Sequence, residues 1–315
     1  MHNTFIRVAE VWEPSADGAL LELAGGLYGA APAFGALSQG LCFGRAEGLP
    51  GHAWDEGRPI LLERFEHSFF RRTAAAQAAG LGCALALPVF IDERLTCVVV
   101  LLCGEAATHQ GAIELWHNDP RLSGDLALKE GYFGKDAKQL ETLSRDAWLP
   151  RGSGLPGQAW QREAVVFMDQ LEGQARFLRA QTAAAAGIVR ALALPCSGRG
   201  RENWVLSLLS SSSTPIARRV ESWLPDAAGK TLQRGFGHCE SAGALPGGGE
   251  LTLQSGGAGG VIGLAHAHGR AGVLAQLAAA PSELAGEIQR AGLSSMLAVP
   301  VVAEGVVSEV LALYF

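Results

Sequence analysis

From residue 5 to residue 13 apolar and polar side chains nearly alternate, with β-branched and aromatic types prominent. After the turn signal Ser15-Ala16-Asp17-Gly18 the alternation resumes over 19–27. This pattern predicts two strands joined by a tight turn. Further short strands are expected at 41–45 and 59–63. Over 69–79 the pattern changes to Phe-Phe-Arg-Arg-Thr-Ala-Ala-Ala-Gln-Ala-Ala, with Ser68 placed to cap the run and Gly80 to stop it, so a helix is predicted there. The apolar runs 82–91 and 95–102 then read as a hairpin turning at Asp92-Glu93-Arg94.

The same succession returns. Strands are expected at 113–116, 126–133, 164–168, 188–196 and 204–209, with a short helix at 134–143 and an alanine-rich helix at 174–186. The polar run Ser210-Ser211-Ser212-Ser213-Thr214-Pro215 reads as a linker. A third pass has strands at 217–224, 230–236 and 271–277 and a helix at 282–291. Two landmarks fix the register. Gly48-Leu49-Pro50-Gly51-His52-Ala53-Trp54 returns as Gly154-Leu155-Pro156-Gly157-Gln158-Ala159-Trp160, 106 residues on, and is replaced in the third pass by Gly259-Gly260-Val261-Ile262-Gly263-Leu264-Ala265-His266. Ala84-Leu85-Ala86-Leu87-Pro88 returns as Ala191-Leu192-Ala193-Leu194-Pro195 and as Met296-Leu297-Ala298-Val299-Pro300. Three copies of one module follow, over 1–106, 107–212 and a divergent 213–315. Pro50 and Pro156 suit the first position of a short helix, and the flanking glycines allow a close backbone approach.

Composition narrows the partners. A chain of 315 residues, 48% hydrophobic, can bury real cores, yet only 18% of it is charged and it holds 41 glycines. So little charge points to apolar surface covered by another part of the chain or by a partner. A net charge of −6 without Lys/Arg runs argues against nucleic acid, and no segment is apolar for long enough to cross a bilayer. The six cysteines lack CxxC spacing and the first residues lack a signal-peptide pattern, so the expected setting is a cytoplasmic protein with reduced thiols.

The run Glu47-Gly48-Leu49-Pro50-Gly51, then Ala78-Ala79-Gly80-Leu81, then Leu85-Ala86-Leu87-Pro88-Val89, resembles GAF domains. So does Ala291-Gly292-Leu293 leading to Leu297-Ala298-Val299-Pro300-Val301. The resemblance covers nearly the whole chain. It implies an α+β fold of the PAS/GAF profilin type, with twisted antiparallel sheets and short helices in three tandem copies. The helices that usually flank such a domain have no room here. The second face of each sheet therefore needs another cover, supplied by the repeats packing on one another or on a second chain.

The resemblance sets the Phe-x-Arg element, Phe70 with Arg72 and Phe177 with Arg179, beside a ligand cavity, where the arginines could clamp a carboxylate or phosphate bidentately. The alternative is an arginine snorkelling from a packed helix end. Ser282-Glu283-Leu284 stands there in the third copy. His52 is a candidate pocket donor, and Trp54 and Trp160 are candidate stacking rings or core anchors. His266 and His268 would share a face if extended, near His238 and Cys239, but no spacing marks a metal site. No catalytic residue is assigned: GxSxG, HExxH and P-loop patterns are missing, as are the bilin and cyclic-nucleotide signatures of the GAF family. The expected function is non-enzymatic, a regulatory protein that senses an unidentified small molecule and signals through a protein partner or self-association. One alternative is an assembly scaffold whose pockets are filled; another is a thiol redox enzyme of the free-methionine-sulfoxide-reductase type, which needs two cysteines within reach in one repeat. The cofactor is left open.

Overall fold

The computed structural model describes residues 4–174, 176–248, 251–277 and 281–315, without the side chains of 282 and 283. The first sheet comprises β1 (Ile6–Pro14), β2 (Leu21–Leu27), β3 (Cys42–Phe43), β4 (Ile60–Leu62), β5 (Leu81–Ile91) and β6 (Arg94–Gly104), with helices α1 (Pro32–Ser38), α2 (Gly48–Glu56) and α3 (Thr73–Ala78). The second has β7 (Gly111–Asn118), β8 (Asp125–Phe133), β9 (Trp148–Pro150), β10 (Val166–Asp169), β11 (Arg190–Cys196) and β12 (Asn203–Ser210), with α4 (Lys138–Asp146), α5 (Gly154–Arg162) and α6 (Ala180–Ala185). The third has β13 (Arg219–Pro225), β14 (Thr231–Cys239), β15 (Gly243–Leu245), β16 (Thr252–Gln254), β17 (Gly272–Leu274), β18 (Met296–Ala303) and β19 (Val306–Tyr314), with α7 (Gly260–His268) and α8 (Ser282–Arg290). All pairings are antiparallel. The strand orders β3-β2-β1-β6-β5-β4, β9-β8-β7-β12-β11-β10 and β15-β14-β13-β19-β18-β17 coincide, with β16 an addition on β14. Each sheet with its helices forms a unit. No described helix is long and apolar enough to cross a membrane.

The Gly-x-x-Gly stretch starts a helix in every unit for two reasons. Its first glycine (Gly48, Gly154, Gly260) sits at φ between 56° and 62°, where a side chain is strained. At the second, an added Cβ would lie 2.1 Å from the Gly44 carbonyl oxygen, 2.5 Å from that of Pro150 or 2.4 Å from that of Gln254. Only glycine lets the helix lie so close to the preceding loop.

Three expectations need correction. The helix expected over 69–79 begins only at Thr73, and that over 174–186 only at Ala180, because Arg72 and Arg179 have φ near −110° and ψ near 25° as the residues before the first turn. This turns Phe70 and Arg72, and Phe177 and Arg179, inward together. Helix α1 was missed, its Pro-Ala-Phe-Gly-Ala-Leu-Ser sequence being too short and weakly periodic to register. The stretch holding His266 and His268 is helical, so two residues part by about 200° around the axis and the imidazoles diverge.

One face of each sheet packs under its own helices, around Trp12, Trp116 and Trp223. The other faces meet each other: Leu85, Leu87 and Val89, Leu192 and Leu194, and Leu297, Val299 and Val301 belong to a single core spanning all three sheets. Strands β5, β11 and β18 each touch the other two. The bare faces are thus covered from within the chain, and the low charge content needs no second subunit to explain it.

The three seams between units differ in chemistry at one equivalent position, the residue paired across the hairpin with the position after the conserved proline: Cys97, Trp204 or Glu309. Where unit two presents the Val165 N–H, it donates to Glu309 at 2.8 Å. Where unit three presents the Ala271 N–H, it donates to Cys97 Sγ at 3.3 Å. Unit one presents Pro59, which has no N–H, and there Trp204 takes the place of an acceptor, with Arg58 laid over its ring. The run 210–215 is tied down: the Ser211 and Thr214 hydroxyls bond each other, the Ser211 N–H and the Thr214 hydroxyl both donate to the Gln110 carbonyl, and the Pro215 carbonyl accepts the Phe5 N–H.

Candidate functional site

Under the helices of each unit lies a buried charge cluster. In unit one Glu10 and Trp12 share a face of β1, and the indole N–H donates to the carboxylate at 3.1 Å. Arg72 forks onto both Glu10 oxygens at 2.6 and 2.8 Å and donates also to the Ser38 hydroxyl, which passes its own proton to the Phe34 carbonyl. The Tyr28 hydroxyl adds a donor at 3.3 Å. The guanidinium lies over the rings of Phe34, Phe70 and Trp12. Glu10 is fully buried and Arg72 is 3% exposed.

Unit two repeats the arrangement with Glu114, Trp116, Ser144 and Arg179, the guanidinium over Trp116 and Phe177. In unit three the carboxylate and indole return as Glu221 and Trp223, but the cations come from strands: Arg219 on β13 and Arg234 on β14. Glu287 on α8 bridges both arginines, and the Tyr314 hydroxyl donates to Glu221 at 2.5 Å. Ser282 and Glu283, expected at the Phe-x-Arg position, have side chains outside the described set.

The arginines thus clamp carboxylates of the chain itself; neither sits at a free cavity wall nor points out from a helix end. The partners Glu10, Glu114 and Glu221 were not picked out from the sequence, although a signal was there: Glu-x-Trp recurs at 10–12, 114–116 and 221–223, at the spacing of the repeat. Phe70 and Phe177 are buried beside the guanidinium groups. His52 is stacked on Phe69, ring centroids 3.8 Å apart, with Nδ1 at 2.8 Å from the Gly48 carbonyl. Trp54 and Trp160 carry Arg45 and Arg151 over their rings. Trp54 is buried and Trp160 half-buried.

A wider groove, about 1280 Å³, is elsewhere, on the seam between units three and one with Arg199 of unit two at its rim. Its walls include Trp54, Arg45, Arg94, Arg270, His266 and His268, together with the acidic Asp92 and Glu93. Arg270 is paired with Glu13 at 2.9 Å, and His266 meets the Ser255 hydroxyl at 2.8 Å. His238 is on another seam, accepting from Arg190 at 3.0 Å, with its pKa lowered by burial and by that guanidinium. Among the described residues no three His, Cys, Asp or Glu side chains converge as metal ligands.

Two cysteines do meet in one unit: Cys83 and Cys103 are direct partners across β5 and β6. Both are fully buried, and burial holds the Cys83 thiol well above its ordinary pKa, which disfavours the nucleophilic thiolate.

No protein-family model matches the chain, and no curated protein does. Among solved structures the chain is similar to the GAF domain of A. aeolicus Nlh2 in an inactive state, at 17% identity over 31% of this chain and 58% of that one, TM-score 0.26. It is also similar to the free methionine-R-sulfoxide reductase of Neisseria meningitidis, solved with its substrate, at 18% identity over 33% of this chain and 53% of that one, TM-score 0.25. A third is Staphylococcus aureus NreA mutated in its nitrate-binding site, at 13% identity over 35% of this chain and 79% of that one, TM-score 0.27. Each of these matches spans about a third of this chain, and the chain spans little more than half of the first two.

Proposed function

We propose that this chain is a non-enzymatic assembly protein. Three GAF-like modules, bounded near residues 106 and 212, close on one another and meet a protein partner through their outer surface. The observation that carries the reading is the burial of Arg72 on Glu10 and of Arg179 on Glu114. An anionic ligand at either arginine must displace a carboxylate already held in dry surroundings. Leaving that carboxylate unpaired costs about 3–5 kcal/mol, which a small ligand has to recover before it binds at all. The guanidinium groups of both interiors are thus already occupied by the chain's own carboxylates, which favours a scaffold over a small-molecule sensor. A cytoplasmic setting agrees with six cysteines that are all free.

Native mass spectrometry of freshly purified protein tests this. The expected spectrum shows the bare chain, alone or with a protein partner. A compound retained in stoichiometric amount, and identified after acid denaturation, overturns the proposal. Sensing then becomes the better reading, with the groove between units three and one as the place favoured by its size; loss of the compound in R94A or R270A would locate it there.

A further inference from the structure

Units one and two carry the same loop and helix, with one reversal of charge. In unit one Glu47 precedes α2; its carboxylate accepts the Gly44 N–H and the Arg71 guanidinium, both at 3.1 Å, and His52 covers the flank by stacking on Phe69. The backbone of unit two follows the same course, Gly152 N–H to the Gly157 carbonyl matching Ala46 N–H to the Gly51 carbonyl. Its side chains differ at six positions around the loop. Ser153 stands where Glu47 was, Gln158 where His52 was, Gln161 and Arg162 where Asp55 and Glu56 were, and Arg176 and Leu178 where Phe69 and Arg71 were.

The result is a cleft of about 460 Å³ beside α5, lined by those six residues and the glycines between them. Its lining residues include the exposed Arg162 and Arg176, Ser153, Gln161 and Gln158, whose amide already donates to the Gly154 carbonyl at 2.9 Å, and no carboxylate among the described residues. Arg162 and Arg176 have no ion pair there among the described residues either, although Arg151 nearby is matched with Glu163. In unit one a carboxylate stands in front of the helix, held by Arg71; unit two has Leu178 at that arginine's position, and its cations are Arg162 and Arg176 instead.

We infer that this cleft of unit two binds an oxyanion, the phosphate or carboxylate group of a small solute, in the place that Glu47 fills in unit one. Two guanidinium groups offer paired N–H donors to such a group. The site is separate from the buried arginine clusters, so it stands whether or not the assembly reading does.

The test is isothermal titration calorimetry of the full chain at low ionic strength with sodium pyrophosphate and, separately, sodium succinate. Saturable binding at one site per chain is expected, in the millimolar range or tighter, with tighter pyrophosphate binding marking a phosphorylated ligand and tighter succinate binding a carboxylic acid. Arg176→Ala should weaken binding about tenfold or more, the loss of one charge-assisted contact. Ser153→Glu restores the carboxylate of unit one and should abolish it. Arg176 is exposed and Ser153 half-buried at the position where unit one accommodates a glutamate, so circular dichroism should match the wild type. Absence of saturable heat up to roughly 10 mM, or affinity that persists in S153E or in R176A, overturns the inference.

Discussion

Replacing Arg72 by methionine keeps much of the side-chain volume and removes the charge. Glu10 is then left fully buried with only the Trp12 indole at 3.1 Å and the Tyr28 hydroxyl at 3.3 Å, having lost two guanidinium bonds. An uncompensated buried carboxylate costs about 3–5 kcal/mol. Glu10→Gln is milder, about 2–3 kcal/mol, because the carboxamide oxygen can still accept one guanidinium N–H. The double variant R72M/E10Q has no buried charge, and its carboxamide still meets Trp12 and Tyr28, so its loss should be only about 1–2 kcal/mol. Additivity would predict roughly 6.5 kcal/mol, so the coupling is about 5 kcal/mol. Urea unfolding followed by far-UV circular dichroism at pH 7 measures all four corners of the cycle. Single losses below about 1 kcal/mol, or losses that add within about 0.5 kcal/mol, would show that water reaches the pair and that the interior of unit one is open, which defeats the filled-pocket argument.

His109 is wedged between Phe5 and Tyr132, with Nδ1 at 2.9 Å from the Glu105 carbonyl, and burial lowers its pKa to about 4. The folded state then binds fewer protons than the unfolded one between pH 4 and 6.5, so stability should fall by roughly 3 kcal/mol on acidification through that window. His109→Asn, which keeps a donor for the carbonyl, should flatten the profile of melting temperature against pH; an unchanged slope refutes this. Glu309 behaves oppositely: burial raises its pKa despite the Ser222 and Val165 donors, so its contribution declines as pH rises through the folded value. Glu309→Gln should therefore be at least as stable as the wild type at pH 7, with the difference shrinking in acid, and a less stable variant at pH 7 contradicts the assignment. Gly51→Ala drives a Cβ to 2.1 Å from the Gly44 carbonyl oxygen and should cost more than about 3 kcal/mol or prevent folding. Unfolding within about 0.5 kcal/mol of the wild type would mean that the loop yields.

Alternation and the recurring landmarks were enough to place most strands, since side-chain period and glycine geometry are local properties that the chain displays directly. The interiors were harder. The Phe-x-Arg elements stood out in sequence either as a ligand clamp or as arginines snorkelling from a helix end, and neither reading named a carboxylate of the chain: the partner of each arginine lies more than sixty residues earlier on a strand whose glutamate looks, in sequence, like any solvent-facing position of an alternating pattern. The same pairing cut short the helices at 69–79 and 174–186, a tertiary contact overriding favourable alanine-rich propensity. In unit three the cations come from Arg219, where the other units have Val8 and Ala112, and from Arg234, where they have Leu23 and Leu128, so the repeats share the carboxylate and the indole but not the source of the cation.

The groove beside Arg94 and Arg270 lies on the one seam whose units are not consecutive along the chain. That junction is closed by a sulfur acceptor at Cys97, the Thr96 hydroxyl on the Gly269 carbonyl and an exposed ion pair, where the seam between units one and two has a tryptophan. A clasp is most easily undone where its ends are fastened without a hinge. Breathing of the closed chain should begin there, and amide hydrogens of Ala271 and its neighbours in β17 should exchange with solvent sooner than those of the matching strand β10.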